Sequence, residues 1–294
     1  MRSLLPAGAA ACLALTCMPV TAQPSHSVHD GWVSDAITLR SADGVQLSGS
    51  LVTPEEGRPI AVIVLVHGSG PSERYTALAA LLALRRVAVL TYDKRGVGQS
   101  GGRYERVNDV SRANLELMAS DATAAMKWVL DSPILKALPR GFVGLSQAGW
   151  VVPIAVARLP TVDFIGFWSG PTCTTSEQLH LQHFSAEHES DWPRVTADMI
   201  SEAMLHVEYR PDDVDPRHWL KAVSVPGIWL FGGQDPYVPI ALSTRRLQQL
   251  IDNGRSNFEY RVFPEEGHNL ADSPRQASFV TMVDWIEGIA LSSR

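Results

Sequence analysis

The chain has 294 residues, of which 45% are hydrophobic and 19% charged. That balance supports a globular core and excludes a disordered, collagen-like or coiled-coil chain. Lys and Arg total 25 against 31 Asp and Glu, a formal charge of -6 without a basic run, which argues against a nucleic-acid partner.

Met1-Arg2 precedes an apolar run over 4–20, and Val20-Thr21-Ala22 supplies the small residues a signal peptidase needs. The expectation is a signal peptide over 1–22, cut near Ala22, and a secreted or periplasmic protein. Lipoprotein cleavage before Cys17 is the alternative, poorly matched by Ala14-Leu15-Thr16. No second apolar run exists, so no stable membrane insertion is expected. Cys12 and Cys17 fall in the removed segment. Cys173 then stands alone, which excludes an internal disulfide and suits a small buried filler.

In chain order, 35–39 and 45–49 alternate around Ala42-Asp43-Gly44 and predict an antiparallel hairpin. Residues 61–66 are an apolar run suited to a strand buried on both faces, and 87–91 predict another buried strand. A helical stretch around 75–84 lies between them. Residues 110–129 carry Leu115, Met118, Ala122, Met126 and Val129 on one helical stripe. Strand 141–145, helix 150–157 and strand 164–168 follow.

The rhythm then changes. Thr174-Thr175-Ser176-Glu177 has capping-box spacing and opens a polar, histidine-bearing helix. Pro193 is expected to open a second helix, with Val195, Met199, Ile200, Met204 and Val207 on its apolar stripe, and Asp215-Pro216 a third. Strand 228–231, helix 241–251, strand 260–263 and helix 276–289 restore the alternation. It predicts an α/β fold, a mostly parallel sheet with helices on both faces. Residues 35–174 and 225–292 are expected to form the core, with 175–224 inserted as a helical cap.

Gly144-Leu145-Ser146-Gln147-Ala148-Gly149 follows a buried strand and opens a helix. Ser146 there sits on a sharp turn, and the Gln147 amide points to where an oxyanion would form. Ala148 replaces the last glycine of the G-x-S-x-G pattern. Gly98-Gln99-Ser100-Gly101-Gly102 matches those letters better, but no strand directly precedes it and no helix follows. Its loop is read as structural, with Asp93 and Arg95 paired. An acyl-transfer serine needs a base and an orienting acid. His268 and Asp235 fall on loops after strands, and the order Ser146, Asp235, His268 is the one this arrangement uses. Glu265 and Glu266 are the alternative acids. In His67-Gly68-Ser69-Gly70-Pro71 the Ser69 amide is the second expected oxyanion donor, with His67 holding loops through its ring nitrogens.

These motifs together resemble the α/β-hydrolase superfamily over about 35–289. Within it, the chain is similar to bacterial carboxylesterases related to serine aminopeptidases and dienelactone-hydrolase-like proteins. The resemblance implies hydrolysis of a small-molecule carboxylic ester through an acyl-enzyme, with no cofactor and no metal. A peptidase would need cap acids such as Glu177 or Glu187 for the substrate amine. A non-catalytic binding protein is the other alternative, against which the three residues in order stand. His180, His183 and His188 are read as solvated or pocket-lining rather than metal ligands, and Trp168 and Trp192 as core packing.

Overall fold

The computed structural model describes residues 25–104 and 109–292, so the 1–22 segment lies outside the described residues. One nine-stranded sheet runs through it, in the order β1-β2-β3-β5-β4-β6-β7-β8-β9. The hairpin forms as β2 (Trp32–Arg40) and β3 (Gln46–Pro54), and β3 pairs antiparallel with β5 (Val87–Tyr92). From β5 through β4 (Ala61–Val66), β6 (Arg140–Leu145), β7 (Phe164–Trp168), β8 (Gly227–Gly232) and β9 (Phe258–Phe263) every pairing is parallel. A further edge strand, β1 (His26–His29), pairs with β2 although all four of its residues are exposed. It is held by backbone pairing, and a strand without a buried face leaves no apolar alternation to read.

The central strands explain the helix layers. Val62, Val64 and Val66 of β4 join one core with α2 (Arg112–Asp131), α3 (Ala148–Arg158) and α7 (Ile240–Asp252). Ala61, Ile63 and Leu65 join the other, with α1 (Thr76–Leu84) and α8 (Ala277–Ser292). Alternate side chains thus serve opposite faces, as a doubly covered parallel sheet requires. The chain leaves β4 toward β5, then returns to β6 on the other side of β4. Such a reversal opens a crevice at the carboxyl ends of the strands.

Between β7 and β8 lie α4 (Thr175–Glu187), α5 (Ala197–Ala203) and α6 (Arg217–Leu220). Thr174 and Glu177 complete the capping box. The single helix expected from Pro193 to Val207 does not form. A 3-10 turn covers Glu189–Arg194, Thr196 caps α5 by accepting the Met199 amide, and α5 stops at Ala203 with none of its residues buried. The stripe was too weakly covered, and Thr196 competed as a cap.

Candidate active site

Four loops at the carboxyl ends of β4, β6, β8 and β9 carry the residues singled out above. Ser146, directly after β6, holds φ +47, a left-handed conformation that non-glycine residues adopt only under constraint. Its amide donates to the Trp168 carbonyl (2.9 Å), which ties the turn to the end of β7. The close approach of β6 and α3 is taken up by Gly144, since a Cβ there would collide with that of Ala148.

Asp235 and His268 are brought together by their backbones. A side chain on Gly232 would run into the Gly267 carbonyl. Gly233 and Gln234 donate to the carbonyls of Phe263 (2.8 Å) and Glu266 (2.9 Å). Locked in this way, Asp235 Oδ2 meets His268 Nδ1 at 2.7 Å. Its Oδ1 accepts the amides of Tyr237 (2.8 Å) and Val238 (3.0 Å), so the buried carboxylate is fully engaged. Neither alternative acid reaches the imidazole: Glu266 accepts from the Ser273 hydroxyl at 2.6 Å and Glu265 is exposed.

Ser146 and His268 line one cavity of about 970 Å³, without a hydrogen bond between them among the described contacts. Ser69 lines it too. Among the described residues neither the Ser69 nor the Gln147 amide donates a hydrogen bond, so both remain available to a ligand. Leu78, Leu145, Trp168, Leu179, Ala186 and Leu270 give the cavity an apolar wall. Leu179, Gln182, His183 and Ala186 come from α4, whereas the apolar stripe read over 195–207 does not reach the cavity.

Glu177 is not a cavity residue. It is buried in an ion pair with Arg246, accepts from Tyr209 Oη (3.0 Å) and from the Thr174 amide (2.7 Å). Glu187 does not line the cavity either. Among the described residues the one carboxylate lining the cavity is the exposed Asp272.

The family-level match is decisive here. Residues 57–209, spanning the Ser69 turn and the Ser146 turn, match the family described as serine aminopeptidase, S33. The chain belongs to that family, within the α/β-hydrolases. It is 24% identical over 263 residues to the monoacylglycerol lipase of Mycolicibacterium smegmatis, covering 79% of this chain and 89% of that protein. It is 23% identical over 248 residues to esterase EstD of Thermotoga maritima, of which the match spans 57%. Among solved structures, the Pyrococcus furiosus esterase Pf2001 superposes with a TM-score of 0.61 at 18% identity, covering 91% of this chain and 95% of that one.

Around this S33 site, the Asp93 loop departs from expectation. Asp93 and Arg95 do not pair. Asp93 grips Arg74 through both oxygens (2.8 Å each) and accepts the Gln99 amide (2.9 Å). Burial opposes its charge, but these bonds hold its carboxyl below the ordinary range. Arg95 instead meets Asp121 (2.6 and 2.8 Å) and Asp43 (2.8 Å). Each found better-placed partners outside its own loop: Arg74 for Asp93, and Asp121 and Asp43 for Arg95. Ser100 is structural: its hydroxyl donates to the Asp93 carbonyl (2.7 Å) and accepts the Ser48 amide (2.9 Å).

His67 packs between the Tyr75 and Tyr92 rings, both 5.0 Å away, and its Nε2 has no hydrogen-bond partner among the described residues. Burial, helped by the Lys94 charge, lowers it to about 3, so it stays neutral. It holds the loop by ring packing more than by both nitrogens.

His183 lines the cavity. His180 meets the Ala203 carbonyl (2.8 Å), and His188 the Phe184 carbonyl (2.8 Å). Trp168 is buried and also forms cavity wall, while Trp192 sits edge-on to Phe184. Cys173 is buried, which pushes its thiol up and away from nucleophilic use.

Lys94 is the residue the sequence reading passed over. It is 4% exposed and donates to the Gly68 carbonyl (2.5 Å), the Gly70 carbonyl (2.9 Å) and Gln147 Oε1 (3.2 Å). Desolvation lowers it to about 7.

Proposed function

We propose that the chain is a serine hydrolase that cleaves carboxylic esters through an acyl-enzyme, with Ser146, His268 and Asp235 as its triad. The 2.7 Å Asp235–His268 hydrogen bond at the wall of the Ser146 cavity carries the reading. Asp235 fixes the imidazole with Nδ1 protonated and Nε2 free to accept. Ser146 Oγ attacks the acyl carbon as its proton passes to His268 Nε2. The Ser69 and Gln147 amides hold the oxyanion, and the alcohol leaves with the proton from His268. Water, deprotonated by the same imidazole, then releases the acid.

The choice of ester over aminoacyl amide rests on charge. A buried ammonium needs a carboxylate partner. Glu177 is committed to Arg246, and the exposed Asp272 would meet a hydrated ammonium and gain little. The apolar wall suits an acyl or alkyl group, in keeping with the lipase and esterase names of the two relatives. A panel of p-nitrophenyl esters and aminoacyl p-nitroanilides should give turnover on the esters and little on the anilides. Faster cleavage of the anilides would overturn the reading. Asp235→Asn should lower kcat by roughly 10⁴, while Glu265→Gln and Glu266→Gln leave it near wild type.

Export is part of the same reading, supported by the apolar 4–20 run. Protein taken from the native host should begin near Gln23. An intact Met1 on mature protein would refute it.

A further inference from the structure

We propose that Lys94 is a positioning residue that fastens the two halves of the oxyanion pocket to each other. The inference rests on the oxyanion roles of Ser69 and Gln147 given above.

Lys94 lies between two charges that have their own partners: Asp93 holds Arg74, and Arg95 holds Asp121 and Asp43. Protonated, its ammonium has three protons, and three oxygens receive them. Two are the carbonyls of Gly68 and Gly70, immediately before and after Ser69. The third is the side chain of Gln147, the residue after Ser146. One cation thus bridges the turn after β4 and the turn after β6. One peptide unit it grips, Gly68–Ser69, carries the Ser69 amide itself, and the other, Gly70–Pro71, closes the turn after it. Movement of either turn would break at least one of these bonds, so the spacing of the two amides is fixed before substrate arrives. Oxyanion donors act through such preorganisation, and displacement of a donor forfeits much of its effect.

Stability alone does not account for the residue. All three acceptors are neutral, and among the described residues no carboxylate hydrogen-bonds to Lys94. The Tyr104 ring, 5.5 Å from Nζ, covers another side. A buried cation without a counter-ion is costly, and hydrogen bonds to three neutral oxygens offset that desolvation only in part. A cation kept at such a cost next to two unpaired amides is what a stability–activity compromise looks like.

Lys94→Met separates the two accounts. The expected variant folds, with a Tm below wild type because three acceptors lose their donor. Its kcat on a p-nitrophenyl ester falls roughly 10- to 100-fold, less than or comparable to losing an oxyanion donor outright, with KM within about twofold. The Ki of an aryl trifluoromethyl ketone, whose serine adduct carries the oxyanion, rises by the same factor as kcat falls. A folded variant with kcat and Ki near wild type would overturn the inference. So would a lowered Tm with KM and kcat unchanged, which marks a purely structural lysine. Should Lys94→Met fail to fold, Gln147→Met removes one anchor and keeps the amide. A parallel fall in kcat and rise in Ki then supports the bridge, and no change in either overturns it. A wild type that neither hydrolyses esters nor binds the ketone refutes the parent reading, and this inference with it.

Discussion

The Cβ of Ala148 occupies the space that any side chain on Gly144 would need. The tight contact between β6 and α3 under Ser146 is therefore shared unequally, with the glycine on the strand and the methyl on the helix. Gly149 makes a second close approach, where an added Cβ would lie 2.6 Å from Pro171. Gly144→Ala should destabilise the fold by roughly 1–3 kcal/mol through overpacking and lower activity by displacing the nucleophile turn. Ala148→Gly should cost about 1 kcal/mol and keep most activity, since it only loosens the first turn of α3. Thermal unfolding and kcat on an ester would check both. The reverse ranking would mean that the methyl, not the glycine, shapes the turn.

Ser146 and Ser100 sit in competing sequence motifs. Ser100 spends its hydroxyl on the Asp93 carbonyl and the Ser48 amide, while Ser146 lines the cavity at positive φ. Ser146→Ala should lower kcat by on the order of 10⁶ and abolish fluorophosphonate labelling. Ser100→Ala should keep turnover and labelling and lose only about 1 kcal/mol of stability. Mass spectrometry of the labelled peptide decides between them, and a label on Ser100 would sink the assignment.

Much of this arrangement was legible before any coordinates. The runs at 61–66 and 164–168 are apolar at every position and 87–91 at all but Thr91, which suits strands covered on both faces. Ser146, Asp235 and His268 stand out in the sequence because each lies on a loop that follows a strand. Lys94 was not found because its partners are two backbone carbonyls and a glutamine side chain from distant loops, and backbone acceptors leave no trace in sequence. The Asp93–Arg95 pairing failed for a related reason: proximity in sequence does not give pairing of side chains when Arg74 before α1, Asp43 in the β2–β3 turn and Asp121 on α2 compete. The α5 region was misread because its apolar residues are only half-covered, so their spacing constrained the helix weakly.

Glu177 was the obvious acid for a substrate amine, and the structure gives it another task. Its pair with Arg246, its cap on Thr174 and its contact with Tyr209 dock the start of α4, whose later turns line the cavity. Glu177→Ala would leave Arg246, 12% exposed, without its partner, at a cost of about 3–5 kcal/mol. Replacing both residues by methionine should recover much of that loss, because the pair's desolvation cost goes with it. In the double variant the ratio of kcat/KM on esters to that on aminoacyl anilides should match wild type. A specific change in anilide cleavage would return Glu177 to substrate recognition.

The Asp93–Arg74 clamp gives the fold an acid limit near the site. Arg74 lines the cavity, and Asp93 holds it while Ser50 Oγ (2.9 Å) and Ser48 Oγ (2.6 Å) accept two further protons. Burial of Asp93 disfavours its charge, but the Arg74 and Gln99 bonds outweigh that, and its carboxyl titrates lower folded than unfolded. A depressed carboxyl stabilises the folded state fully above its unfolded value, near pH 4, and loses that contribution as pH falls through the folded value. Asp93→Asn should therefore be less stable than wild type by about 2 kcal/mol at neutral pH, the size of a charge-assisted hydrogen bond. The gap should narrow steadily below pH 4, because protonation takes from the wild type what the substitution has already removed. Urea unfolding of both proteins from pH 7 down to pH 3 measures it. A gap that stays constant across that range would show that the carboxylate's charge is not what holds Arg74.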